Sequence, residues 1–557
     1  MSPTESSTSP ILSSTTTTAN SPRQFPKSKL VFISMTVLLS LLLIFFITSS
    51  ASTRHRHAST AHREVCRASR NPTACQASLT NSPTVLLAVQ SAVAVSSRNL
   101  DTAVGMVQDV LADRNRSDAA RTCLEILRYA RHRMNLTGEA LAREGGLGDA
   151  RAWASGALAY EYGCMAGLKS VNETETAGFL NSSLIPSTSD VLGMLASYSA
   201  FGEKTELWAP PRTEREGFWE PLVSYSSSSS SSSYFSRGVE LGLEANVSVC
   251  REGGPCDYGT VQEAVDAAPN NSDWRFVIGI KAGVYEETVR VPLEKKNVVL
   301  LGQGMANTVI TANASVAHHG LTTYNTATVG VLGDGFMASG LTIQNTAGPD
   351  AHQAVAFRSD SDLSIIQNCQ FIGNQDTLYA HSLRQYYKSC RILGNIDFIF
   401  GHSASFFEDC LILVTPRQVD PEKGENNVVT AHARIDPGQS TGFVFRNCVI
   451  NGTDAYMRLY HAKPGVHKNF LGRPWKEYSR TVFINCTLEA LIAPDGWMPW
   501  DGDFAFSTLY FGEFGNTGPG SNVSGRVNWS SQIPTEHVNS YTLENFIQGD
   551  RWVTASS

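Results

Sequence analysis

A chain of 557 residues is long enough for two or more cores at about 100 to 200 residues per domain. Its formal net charge is −7, with 22 basic against 30 acidic residues from Ala245 onward, which excludes the basic face that a phosphate-backbone binder needs. Charged residues make up 17% of the chain, below the roughly 25% of an average globular protein, while Ser, Thr, Asn and Gly abound; the bias suits an exported, strand-rich protein.

In chain order, a Ser/Thr/Pro-rich leader over 1–29 precedes an apolar segment over 30–50. The run from Leu30 to Ile47 approaches the roughly 18 residues that cross a bilayer and is flanked by Arg23, Lys27, Lys29, Arg54 and Arg56. It reads as a cleaved signal peptide or as a transmembrane signal anchor, and either sends the chain into the secretory pathway. Asn-x-Ser/Thr sequons at Asn115, Asn135, Asn172, Asn181, Asn246, Asn270, Asn313, Asn451, Asn485, Asn522 and Asn528 agree with export and mark candidate glycosylation sites.

Residues 62–200 carry apolar side chains at three- and four-residue intervals, as in VLLAVQSAVAVSS, LDTAVGMVQDVLAD and ARTCLEILRYARHRM, and predict an antiparallel, four-helix-bundle-like domain. Cys66, Cys75, Cys123 and Cys164 lie here; export makes two disulfides the expectation, with three connectivities open. No His/Asp/Glu cluster gives this segment chemistry of its own. Over 201–244 the periodicity stops, and APPRTEREGFWEP followed by the serines Ser226 to Ser233 reads as a flexible linker.

Over 245–545 short Val/Ile/Phe/Leu runs alternate with Gly and Asn turns, predicting strands. IIQNCQFIGN, YYKSCRILGN, FFEDCLILVT, VFRNCVINGT and VFINCTLEAL align on Cys369, Cys390, Cys410, Cys448 and Cys486, and a period near 20 residues is the signature of a parallel β-helix. The two 38-residue steps fit either a double coil or one coil with a long loop. The aligned cysteines read as a buried ladder, with Cys250–Cys256 and Cys410–Cys448 as candidate bridges. CQFIGNQD and CRILGNID each place an aspartate seven residues after the cysteine, so Asp376 and Asp397 occupy equivalent places on neighbouring coils, roughly 4.8 Å apart in strand spacing. Two adjacent carboxylates cannot both ionise cheaply, and one site then holds an acid beside a base or nucleophile.

GVYEE (283–287), HQAVAFR (352–358), GNQDTLY (373–379), IDFIFG (396–401) and FLGRPW (470–475), in this order and spacing, resemble the plant pectin methylesterases, and the N-terminal bundle is similar to their pro-type inhibitor domain. The resemblance implies an all-α domain followed by an all-β, right-handed parallel β-helix catalytic domain. It implies hydrolysis of methyl esters of homogalacturonan, with water as co-substrate and methanol as product, by a monomer in the cell wall. It makes Asp397 the nucleophile, Asp376 the general acid and then base, Gln375 an oxyanion donor with Gln353 beside it, and Arg473 the partner of Asp397. Trp475 and Thr323 become substrate contacts, and the bundle's disulfides become Cys66–Cys75 and Cys123–Cys164. No metal, organic cofactor or nucleic acid is expected, and the chain's own N-terminal domain is a candidate partner. The segment before Ala245 lacks the basic-Leu-Leu motif common in such enzymes. A β-helix lyase or polygalacturonase does not account for GNQDTLY together with LGRPW, and an inert wall-binding protein is opposed by the intact Asp376, Asp397, Gln375 and Arg473 set. Gln375 and Asp376, being consecutive, reach one cleft only if the chain bends between them.

Overall fold

The computed structural model describes residues 40–45, 61–113, 116–220, 243–251, 254–318, 320–417 and 426–553. Contacts divide the chain into 1–59 and 60–557. In the first part the described residues form a short helix over 40–45; the rest of the run from Leu30 to Ile47 and the leader over 1–29 lie outside the described residues. No helix among the described residues is long and apolar enough to cross a membrane. Asn115 and the serines Ser226 to Ser233 also lie outside them. Of the ten described sequon asparagines all are exposed except Asn451, which is half-buried.

Four long helices build the N-terminal module: α1 (Val85–Val110), α2 (Ser117–Ala140), α3 (Leu147–Ser170) and α4 (Ile185–Phe201). Thr84 accepts a hydrogen bond from the backbone of Leu87 and so caps α1, as a Thr before an apolar-periodic run should. Cys123 of α2 is bonded to Cys164 of α3, and Cys66 to Cys75 in the short helical turns ahead of α1. Such bridges typically contribute about 2 to 4 kcal/mol. On α3 the residues from Ala150 to Glu161 are almost all buried, polar and apolar alike, on every side of the helix. A helix buried all round needs a second layer besides its own bundle.

That layer is the β-helix. Among the described residues its strands fall into three parallel sheets of eleven, seven and eight strands, each strand pairing with its counterpart one coil away. One coil is about the 21 residues from Phe357 to its partner Leu378. The residue before each ladder cysteine, Asn368, Ser389, Asp409, Asn447 and Asn485, has a positive φ of 50° to 54°. A left-handed corner recurs at the same place in these five coils, filled by the short polar side chains that tolerate it. Inside, Tyr387, Phe407, Phe445 and Phe483 stack at 4.7, 4.5 and 4.6 Å, the spacing of the strands that carry them. Strand pairing joins Ala404–Glu408 directly to Gly442–Arg446 and the latter to Arg480–Ile484, so each 38-residue step is one coil with a long loop.

Cys250–Cys256 is bonded as expected. Cys410–Cys448 is not: both are buried free thiols, like Cys369, Cys390 and Cys486. Thiols on in-register parallel coils point the same way about 4.8 Å apart, and a disulfide needs Cβ atoms that converge to roughly 3.5 to 4.5 Å. Each thiol instead faces backbone carbonyls, Cys410 that of Tyr387 and Cys448 that of Phe407. The linker also departs from its composition, since its first half is ordered and packed. Trp208 is buried, Thr213 and Glu216 form a reciprocal helix cap, and Trp219 stacks on His537 at 4.2 Å.

Candidate active site

The seven-stranded sheet carries the site. Five of its strands, running inward from one edge of the sheet, are β5 (Lys468–Gly472), β4 (Asn426–His432), β3 (Ile396–Gly401), β2 (Leu378–Ala380) and β1 (Phe357–Ser359). Asp376 lies just before β2 with φ 65°, and Asp397 lies in β3 with φ 48°. The pairing of β3 with β4 shifts register between Ile396 and Ile399. Such irregularities re-aim side chains. The two aspartates therefore share an unusual backbone conformation as well as a place in the repeat. The bend at Asp376 lets consecutive Gln375 and Asp376 both line one cleft.

The cleft has a volume of ≈ 460 Å³ and brings together Thr323, Gln353, Gln375, Asp376, Asp397, Arg473 and Trp475. Every site residue singled out from the sequence lines it. Arg473, one residue past β5, donates from Nε to Asp397 Oδ1 at 2.8 Å and from Nη2 to Oδ2 at 2.6 Å. This bidentate fork fixes the plane of the Asp397 carboxyl and favours its ionised form. Burial raises the pKa of both aspartates. For Asp397 the bonds and charge of Arg473 oppose that rise; Asp376 suffers burial plus the negative charge of Asp397 and goes well above the usual carboxylate range. Both carboxyls are raised, and the asymmetry makes Asp397 the more readily ionised of the two and Asp376 the stronger holder of a proton.

Several lining groups were not anticipated. The Arg473 guanidinium lies over the Trp500 ring at 4.3 Å, and Trp500 is 37% exposed. The cluster GWMPWDGDF, with two Trp in a turn-rich stretch, was the available sequence signal. Phe400 stacks on Tyr379 at 4.1 Å, and with Trp475 these rings give the cleft an aromatic wall. Beneath it, buried Asp360 bonds the His381 ring and sits 2.9 Å from Arg358 Nε. That buried ion network anchors the cleft floor.

The remaining wall belongs to the helical module. Tyr162, Gly163 and Ala166 of α3 line the cleft, and Lys476 Nζ lies 4.9 Å from the Tyr162 ring centre. Polar contacts hold the helix there: Trp153 Nε1 donates to Asp362 Oδ2 at 2.8 Å, the Tyr160 and Ser382 hydroxyls are 3.0 Å apart, and Arg384 bridges Asp362 and Asp149. From α2, buried Arg133 forms a bidentate pair with Asp334 at 2.6 and 2.7 Å. Gly156 permits the close approach, since a Cβ there would lie 2.7 Å from Leu383 Cδ2.

Comparison with known proteins agrees with these two parts. The family model described as Pectinesterase matches residues 246–550, and that described as Plant invertase/pectin methylesterase inhibitor matches 60–199. A relative from Arabidopsis thaliana, "Probable pectinesterase/pectinesterase inhibitor 64", is 52% identical over 512 residues, covering 89% of this chain and 85% of its own. A "Pectinesterase" from Daucus carota is 46% identical over 315 residues, 56% of this chain and 96% of its own. The solved structure "Pectin methylesterase from Carrot" superposes with a TM-score of 0.53 at 45% identity, over 56% of this chain and 95% of that one.

Proposed function

The chain belongs to the pectinesterase family, with an inhibitor module ahead of its esterase domain, and from that premise we propose how its cleft removes methyl esters from pectin. The Asp397 carboxylate attacks the carbonyl carbon of a methyl galacturonate, and the oxyanion that forms takes hydrogen bonds from the side-chain amides of Gln375 and Gln353. As the intermediate collapses the C–O bond to the methoxy group breaks, Asp376 gives it a proton, and methanol leaves an acyl-enzyme on Asp397. Asp376, now ionised, takes a proton from water; the hydroxide attacks the acyl carbon and frees both Asp397 and a galacturonic carboxyl group. Arg473 orients the nucleophile, Trp475 and Trp500 offer faces to sugar rings, and Thr323 contacts the neighbouring residue. The observation that carries this reading is the bidentate Arg473–Asp397 pair beside a carboxyl that burial and charge keep protonated.

The module has a second role in this reading. With α3 forming one wall of the cleft, it restricts entry of a polysaccharide, and the uncut chain works below the capacity of its esterase domain. Export to the cell wall fits the substrate and the ten described sequon asparagines, nine of them exposed. Methanol release from methyl-esterified pectin, by the full chain before and after limited proteolysis between the module and Ala245, tests both parts. Asp397→Asn and Asp376→Asn abolish release in either form, and proteolysis followed by dilution raises it in the unsubstituted protein. Turnover by a folded Asp397→Asn variant overturns the assignment.

A further inference from the structure

Where the module, residues 212–220 of the linker and the C-terminal residues meet the β-helix there is a second cavity, of ≈ 130 Å³, sharing no lining residue with the catalytic cleft. A water needs roughly 10 to 15 Å³ on such a measure, so the space takes several waters or one polyatomic ion.

Its walls are charged and unbalanced. Arg151 of α3, Arg434 after β4 and Arg480 of the eleven-stranded sheet are all buried, against two acids from the linker, Glu214 and Glu220. Arg151 is spent on Glu220 through both Nη atoms at 2.6 Å and on the Gly438 carbonyl through Nε. Arg480 is spent on Glu214 Oε1 at 2.6 Å and on the Thr441 carbonyl at 2.7 Å. Arg434, 2% exposed, donates from Nη2 to the Pro437 carbonyl at 2.5 Å, but its Nε and Nη1 have no hydrogen-bond partner. The nearest acid oxygen, Glu214 Oε2, stays 3.9 Å from Nη1 and is itself unpartnered.

A buried donor without a partner costs about 1 to 3 kcal/mol, and more when it is charged, so native structures supply one. Water can satisfy the bonds and leaves the excess charge. That excess is felt: burial together with the charges of Arg480 and Arg151 pushes Arg434 down to about 9, in spite of Glu214 and Glu220. A further source of positive potential opens on the same space. Leu147 and Gly148, the first residues of the 24-residue helix α3, line it, and no side chain caps that helix.

We propose that this cavity is a small-anion site, in which an inorganic oxyanion or halide is held by the free Nε and Nη1 of Arg434, with Arg480, Arg151 and the N-terminus of α3 around it. The bound anion ties the module, the linker and the β-helix together at one point, remote in lining from the chemistry.

The test uses the full chain, melted in rising concentrations of phosphate. The expected result is a saturable rise in Tm of about 2 to 4 °C. It is lost in Arg434→Gln and appears at lower phosphate in Glu214→Gln, which removes the competing negative charge. A rise that never saturates, or that is equal in Arg434→Gln, is a general salt effect and overturns the site. Because Arg434→Gln can fail to fold, crystals of the unsubstituted full chain soaked in bromide provide a second readout. An anomalous peak within hydrogen-bond reach of Arg434 Nε or Nη1 supports the proposal, and ordered water alone at that position overturns it.

Discussion

At the scale of residues, the site depends on making two like side chains unlike. Asp376 and Asp397 stand at equivalent positions of adjacent coils with similar left-handed φ values, and what distinguishes them is one guanidinium. On the proposed mechanism Asp397→Asn keeps the shape but removes the nucleophile, so methanol release is expected to fall to background while the melting temperature stays within a few degrees. A second carboxyl pair makes a different prediction. Burial and the charge of Asp436 raise Asp190 on α4 to about 6, against a bond from Ser69 and the charge of Arg70. Asp436 belongs to the β-helix side and also accepts from Ser189 of α4 at 2.6 Å and pairs with Arg70 at 3.3 Å. A carboxyl whose pKa is raised in the folded state stabilises that state below its free value of about 4, and this stabilisation is lost as pH rises through about 6. The melting temperature of the unsubstituted chain, relative to Asp190→Asn measured at the same pH, therefore declines between those values and is flat above them. A difference that does not change with pH across this window contradicts the assignment.

At the scale of elements, α3 is the part that does two jobs. One side packs in its bundle and is stapled through Cys164, and the other lies against β-helix residues such as Leu383 and Ser382. Gly156→Leu places four carbons where a single Cβ already meets Leu383. Overpacking of this kind costs about 1 to 3 kcal/mol. Because the clash is with the β-helix and not within the bundle, the expected outcome is a loosened module: higher methanol release by the uncut chain, and helical content by circular dichroism unchanged. A fall in helical content instead would mean that the bundle itself had broken. The β-helix elements repeat one solution coil after coil, a left-handed corner, a thiol and a stacked ring.

At the scale of the whole molecule, the tether matters because the contact it supports is already extensive. Within one chain the module meets the cleft at an effective concentration of millimolar order, whatever the concentration of protein. Cutting the chain between Glu220 and Ala245 removes the tether and leaves the ion pairs Arg133–Asp334 and Arg384–Asp149 in place. Cleavage alone therefore does not free the site; dilution after cleavage does. Specific activity of the nicked protein is expected to rise on dilution, while that of the uncut chain is independent of concentration. Identical dilution curves for the two forms would show that the module never governs access.

The sequence by itself determined what recurs or is contiguous: the coil length from the cysteine spacing, the helical period of the module, the equivalence of Asp376 and Asp397, and the blocks that carry Gln353, Gln375, Arg473 and Trp475. Periodicity is a local property, so it survives in one dimension. Tertiary structure decided what depends on the direction of side chains and on contacts between distant segments. Whether Cys410 and Cys448 bridge is set by parallel Cβ vectors on stacked coils, and no spacing reveals it. That Gln375 and Asp376 face one cleft depends on a backbone bend that alternation forbids. The linker's first half is ordered because Trp219 finds His537, more than 300 residues away, and Glu214 finds Arg480. The burial of α3 on every side was not read from the sequence, because only the folded chain supplies its second layer, the face of the β-helix that carries the catalytic cleft.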